Sequence, residues 1–186
     1  MMENYFTGTR VSLRPFREGD STHIYQALLD PEFRKLTGTQ TFFTEDSLEK
    51  AYKNFAGDKS RIDLVITDKE TGAAIGDLAL TEIDYINKNA SLRIALYKKE
   101  HYGKGLGTEA ISLLLHYAFE VLSLYRVYLN VYEYNSRAIR AYEKLGFVKE
   151  GAFRGELLWN GVYYDNLIMG ILRHEFRPMS TNREGN

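Results

Sequence analysis

The stretch YGKGLGTEA (102–110) places glycines at 103, 105 and 107 directly before an apolar run. Glycine lets the backbone curl so that successive N–H groups point into one concavity. A helix N-terminus behind such a loop adds unpaired N–H donors and a partial positive charge. Together these hold a phosphate without a basic side chain, and Lys104 adds a point charge at the rim. The pattern departs from two look-alikes. A Walker loop reads GxxxxGK[ST], and no Lys-Ser or Lys-Thr closes this one. A dinucleotide fingerprint needs its third glycine where Thr108 stands, at the opening of a βαβ unit. Read alone, the stretch fits an ordinary glycine-rich turn as well as a phosphate cradle.

Working outward, Thr108 to about Leu122 reads as a helix that is apolar on most of its circumference and therefore deeply buried. Tyr125 to Tyr132 is rich in β-branched and aromatic residues and reads as a strand. In YNSRAIRAYEKLGF (134–147), Asn135 caps a helix with Ala138, Ala141, Tyr142 and Leu145 on one face, and Gly146 ends it. Phe147 to Phe153 and Leu157 to Trp159 extend a sheet, Asn160-Gly161 signals a type I′ hairpin, and Val162 to Leu172 is the last strand. On the N-terminal side, Arg61–Asp68, Ala74–Asp84 and Ala90–Leu96 read as antiparallel strands joined by turns at 69–72 and 87–89. Before them come a strand from Thr9 to Arg14, a helix capped by Asp20 or Ser21 running to about Leu29, a turn or two from Pro31, and a helix capped by Thr44 running to about Phe55. This order predicts an α/β (α+β) fold with a mixed, mostly antiparallel central sheet flanked by helices. One domain over 1–176 and a polar tail at 177–186 are expected.

Composition narrows the function. With 44% apolar residues, the 186-residue chain has enough material for a well-buried core. Its 24 Lys+Arg balance 25 Asp+Glu, so no excess of positive charge points to nucleic acid or to an anionic membrane. The absence of cysteine excludes disulfides, thiolate nucleophiles and zinc-thiolate sites. The four histidines, at 23, 101, 116 and 174, lack metal-ligand spacing, so no metal is expected. The N-terminus has no hydrophobic run, and the apolar stretch from Ala110 to Leu124 is broken by Ser112, His116, Glu120 and Ser123. A soluble, cytoplasmic protein is expected.

The two glycine-containing segments, separated by one strand, resemble the motifs of GNAT acetyltransferases. These are Q/R-x-x-G-x-G/A and, downstream, an Asn followed by a Tyr and a Gly-Phe. Here they read Tyr102-Gly103-Lys104-Gly105-Leu106-Gly107 and then Asn135, Tyr142 and Gly146-Phe147, with Tyr102 in place of the usual Gln or Arg. The segments VSLRPFREGD (11–20) and NGVYYDNLIMGILRHEF (160–176) resemble the RimJ/RimL branch, and Glu82 through Phe147 is also similar to bacterial spermidine acetyltransferases.

The resemblance implies acetyl-CoA as co-substrate, held in a gap where two strands splay apart. Its pantetheine arm would pair with Ile94, Ala95 and Leu96, and its pyrophosphate with the N–H groups of Gly103, Lys104, Gly105, Leu106, Gly107 and Thr108. A backbone N–H near Leu96 would polarise the thioester carbonyl, and Asn135 would bond the pantetheine arm. Tyr142 is the candidate acid for the departing thiolate, and Glu82 the candidate base, with water as the alternative base. The bland readings stand beside these: Tyr142 as a core tyrosine, Glu82 as a solvated carboxylate near a turn. With no cysteine and no serine elbow, direct attack by the amine is expected rather than an acyl-enzyme.

The acceptor is open between classes. An α-amine, with a pKa of about 7.7 to 8.0, is about a tenth neutral at pH 7, while an alkyl amine near 10.4 is neutral in well under about one part in a thousand. A polyamine enzyme therefore needs a strong base and clustered carboxylates. Glu45, Asp46 and Glu49 offer only a modest acidic face. This reasoning favours an α-amine on a peptide N-terminus or a small molecule. A polyamine is the alternative, and a non-catalytic CoA-binding module the reading from another class. Either a monomer or a homodimer is compatible.

Overall fold

The computed structural model describes residues 6–179. The chain forms β1 (Val11–Pro15), α1 (Asp20–Leu28), α2 (Pro31–Thr37), α3 (Glu45–Phe55), β2 (Ile62–Asp68), β3 (Ala74–Asp84) and β4 (Asn89–Leu96). A 3-10 turn at Lys99–His101 leads into α4 (Leu106–Glu120), followed by β5 (Arg126–Tyr132), α5 (Ser136–Lys144), β6 (Val148–Trp159) and β7 (Val162–Leu172). The seven strands make one sheet in the order β1-β2-β3-β4-β5-β7-β6. Every neighbouring pair is antiparallel except β4 and β5, which α4 joins as a crossover. The expected mixed, mostly antiparallel sheet is thus what forms.

Strand alternation sends the two faces of the sheet to different helices. Leu64, Ile66, Leu78, Leu80, Leu92, Val127, Leu129, Met169 and Ile171 meet α4 and the Tyr142–Leu145 side of α5 in the main core. α4 is buried along almost its whole length, as its sequence predicts. The opposite face of β2 to β4 lies beneath a smaller cluster of Ile24, Ala27, Phe33, Leu48 and Tyr97. There Arg93 of β4 pairs with Asp77 of β3 at 2.6 Å and Asp63 of β2 at 3.6 Å. Among the described residues no helix is long and apolar enough to cross a membrane.

Three elements differ from the sequence reading. α4 starts at Leu106, because Gly105, in left-handed backbone with φ of 79°, is its N-cap, so Gly107 lies inside the helix. β6 is one strand rather than two, since register shifts at Lys149/Gly151 and Phe153/Leu157 absorb the glycines without ending the ladder. α1 is preceded by Gly19 and carries no side-chain cap. Residues 180–186 of the expected tail lie outside the described residues.

Asp20 is diverted from capping to a different bond. Its carboxylate accepts from Arg14 Nη1 at 2.7 Å, Arg14 Nη2 at 2.8 Å and the Arg17 N–H at 2.7 Å, tying α1 to β1. Burial alone would raise the pKa of this carboxyl. The hydrogen bonds from Arg14 and Arg17 outweigh it and hold the pKa below the ordinary value. A lowered folded pKa stabilises the fold above the unfolded value, about 3.9, and that stabilisation is lost as pH falls through the folded pKa. Asp20→Asn is expected to cost about 2 kcal/mol in urea unfolding at pH 7. The difference from wild type should narrow below about pH 4, and a gap constant across that range would refute the linkage.

Candidate active site

The parallel junction is the feature that opens the sheet. β4 and β5 pair only at Asn89, Ala90 and Ser91 with Arg126, Val127 and Tyr128. Beyond Ser91 the strands diverge, leaving the β4 edge from Leu92 to Leu96 without a ladder on that side. The gap leads into a groove of about 360 Å³. Ile94, Ala95 and Leu96 form one wall, Tyr102, Gly103, Gly105, Gly107 and Thr108 the end, and Asn135, Ala138, Ala141 and Tyr142 the other wall.

The end of the groove is built for an anion. Gly103 and Gly105 both adopt left-handed φ, 71° and 79°, which turns the loop into the helix start. No side chain caps α4, so its first-turn N–H groups are available. The loop is braced from behind: Arg10 donates through Nη1 to the Lys104 carbonyl at 2.7 Å, and its N–H donates to buried Glu109 at 2.8 Å. Tyr102 closes the other side. Its hydroxyl donates to the Leu96 carbonyl at 3.2 Å, and its ring carries the Arg137 guanidinium at 4.0 Å. Tyr102 therefore joins the loop to the end of β4 and seats a cation at the groove mouth.

α5 supplies the rest. Asn135 caps it by accepting from the Ala138 N–H at 3.2 Å, while lining the groove. Tyr142 also lines the groove although it is only 8% exposed, and it packs against Phe147 with centroids 5.9 Å apart. Burial pushes its phenol up to about 12, so the proton stays on the oxygen throughout the neutral range.

Most of the residues singled out in the sequence meet in this groove: Ile94, Ala95, Leu96, Tyr102, Gly103, Gly105, Gly107, Thr108, Asn135 and Tyr142. Lys104 instead faces a second cleft with Arg10 and Lys69, and Leu106 packs into the core. Glu82, the candidate base, does not line the groove and lies far from Leu96, where the thioester carbonyl is expected. Thr81 pairs with Ser91, five residues before Leu96 and about 17 Å along the strand. The register shift between Thr81 and Asp84 puts Glu82 in left-handed backbone, where its carboxylate accepts from Tyr128 Oη at 2.5 Å. The acids of α3 are likewise engaged locally: Glu49 accepts from Ser21 Oγ at 2.6 Å, Asp46 pairs with Lys50 at 2.7 Å, and Glu45 accepts from Thr22.

Sequence reasoning missed two parts of the groove. Phe33, Leu36 and Thr37 bring α2 in as a third wall, and Arg137, Arg140 and Lys144 line the α5 side. The three cations recur at helical spacing, a signal available in the sequence. The α2 wall is set by Gly38, the left-handed end of α2, where a Cβ would overlap the Tyr132 ring. An apolar slot with an unpaired strand edge, ending in a cationic anion cradle, suits an extended molecule with an apolar arm and a phosphate end.

Comparison with known proteins fits this geometry. The acetyltransferase (GNAT) domain family model matches residues 10–148. The chain is 31% identical over 168 residues to a spermidine N(1)-acetyltransferase of Vibrio cholerae, covering 90% of this chain and 96% of the relative. It is 31% identical to a spermidine N(1)-acetyltransferase of Escherichia coli, covering 89% and 88%. The crystal structure of the Vibrio cholerae spermidine N-acetyltransferase in complex with CoA and spermine superposes with a TM-score of 0.82 at 31% identity, covering 89% of this chain and 97% of that one.

Proposed function

The chain belongs to the GNAT acetyltransferase family and is an acetyl-CoA-dependent N-acetyltransferase, and on that footing we propose that its acceptor is a polyamine. The preference for an α-amine gives way here, since two relatives 31% identical over about nine-tenths of the chain are spermidine acetyltransferases. The observation that carries the proposal is an acidic end to the sheet. Glu133, Glu156 and Asp165 lie at neighbouring positions just past β5 and within β6 and β7: Asp165 accepts from the Gly155 N–H at 2.8 Å, its own N–H donates to Glu133 at 3.0 Å, and Glu156 accepts from the buried Asn166 amide. Among the described residues, none of the three is ion-paired. Three carboxylates without a counter-cation attract a polycation.

In this reading the cradle at Gly103 to Thr108 holds the pyrophosphate, with Arg137, Arg140 and Lys144 facing the remaining phosphate charge. The arm lies along Ile94 to Leu96, where a free backbone N–H polarises the thioester carbonyl. The neutral amine attacks the carbonyl carbon, the C–S bond breaks, and the thiolate takes the Tyr142 proton. The amine loses its own proton to water. Holding both reactants in one groove supplies much of the acceleration. A cytoplasmic setting fits the cysteine-free composition.

The test is a panel of spermidine, a short peptide with a free N-terminus and its blocked form, assayed by thiol release at pH 7 and pH 9. Spermidine is expected to lead by about tenfold or more in kcat/KM. Its rate should climb steeply between the two pH values, because its neutral fraction rises about a hundredfold. Higher kcat/KM for the free peptide at pH 7 would replace the polyamine with an α-amine.

A further inference from the structure

Lys35 makes an uncommon choice of partners. It is half-buried on α2, and its Nζ lies 5.0 Å from the centroid of the Tyr134 ring and 5.2 Å from that of Tyr164. The two rings meet edge to face at 4.8 Å, and Tyr132 stacks on Tyr134 at 5.6 Å. The acids of its own helix segment are turned elsewhere: Asp30 and Glu32 pair with Lys99 at 3.7 and 2.6 Å. The Lys35 ammonium is therefore received by two aromatic faces, each within the range at which ring quadrupoles attract a cation.

The surroundings match a soluble ammonium as well as a tethered one. Strand alternation puts Tyr132, Tyr164 and Asn166 on one face of the sheet, and Glu156, which accepts from the Asn166 amide, is the unpaired carboxylate on that side. The box also abuts the groove. Asn135, the residue after Tyr134, lines the groove, and α2 presents Phe33, Leu36 and Thr37 to it. The Tyr134 hydroxyl donates to the Lys35 carbonyl, fixing α2 against the box. A lysine side chain is four methylenes ending in an ammonium, which is the chemistry of an aminobutyl arm.

We propose that the Tyr134–Tyr164 box is a subsite for a second, non-reacting ammonium of the acceptor, and that Lys35 fills it as an internal stand-in which the acceptor displaces. This inference rests on the polyamine reading. It makes Lys35 a competitor of the substrate rather than a contact to it.

The experiment compares spermidine with butylamine, which has no second ammonium, in the full-length protein. Lys35→Met keeps the apolar stem and removes the charge. It is expected to lower the KM for spermidine about fivefold, with kcat, the KM for acetyl-CoA and the KM for butylamine little changed. Lys35→Arg restores a cation to the rings and is expected to return the spermidine KM toward wild type. Tyr164→Leu, checked for folding by thermal melting, should raise the spermidine KM far more than that of butylamine. A spermidine KM that is unchanged or higher in Lys35→Met overturns the stand-in role, and equal effects of Tyr164→Leu on both amines overturn the subsite. Failure of the wild-type protein to acetylate spermidine while it acetylates a peptide N-terminus sinks the polyamine reading itself, and the subsite with it.

Discussion

Gly105→Glu is expected to weaken acetyl-CoA binding by about a hundredfold or more, read by calorimetric titration. Two effects combine. The new carboxylate puts a negative charge at the N-cap beside a cradle whose N–H groups and helix dipole are arranged for an anion, and it competes for the Arg10 guanidinium that braces the loop. The Cβ also lies 3.0 Å from Arg10 Nη2 and must be accommodated at a left-handed φ of 79°, which costs about 1 to 2 kcal/mol of stability. Gly72→Glu separates the two. Gly72 has φ of 72° with open space around it, in the turn between β2 and β3. It shares the backbone strain but lies outside the groove, so its melting temperature should fall while its acetyl-CoA affinity stays at the wild-type level. Equal affinity in Gly105→Glu and wild type would remove the phosphate from this loop.

Tyr142→Phe is expected to lower kcat about tenfold to a hundredfold while the KM for acetyl-CoA stays within about twofold. The substitution retains the ring that packs on Phe147 and deletes only the hydroxyl. With the phenol pushed up to about 12 by burial, the group is protonated at every pH at which the assay is run. The loss should therefore be uniform from pH 6 to pH 9 rather than titrating within it. A variant with wild-type turnover and a lower melting temperature would make Tyr142 a core residue that happens to border the groove.

Local chemistry carried far in the sequence. Thr44 does cap α3, in a reciprocal pair with Ser47, Asn135 does cap α5, and Gly146 follows α5 with φ of 100°. Asn160 and Gly161 both take positive φ between β6 and β7. Each of these features depends on a few adjacent residues. What the sequence could not show depends on contacts between distant segments. The divergence of β4 and β5 after Ser91 leaves no mark on either strand, both of which look like ordinary half-buried ladders. Glu82 sits in a strand pattern whose bulge is invisible in its residue types. The α2 wall needs Gly38 to meet Tyr132, and the acidic end gathers Glu133, Glu156 and Asp165 from three different strands or strand ends. The α3 acids, adjacent in sequence, read as only a modest acidic face, and each is engaged by a neighbour.

The short β4–β5 junction also bears on how the molecule assembles. Within the sheet, three residue pairs join two antiparallel sections, β1 to β4 and β5 to β7, each of which is contiguous along the chain. Contacts within a contiguous section cost less loop-closure entropy than those that bridge the two. The sections are thus the natural cooperative units, and strand amides along the seam are expected to exchange before those inside either section. A molecule lying in that seam touches β4 on one bank and α5 on the other, and binds only the joined form. Mass action then makes acetyl-CoA a clamp on the native state, so that the resistance of this protein to unfolding rises and falls with the concentration of its own acyl donor.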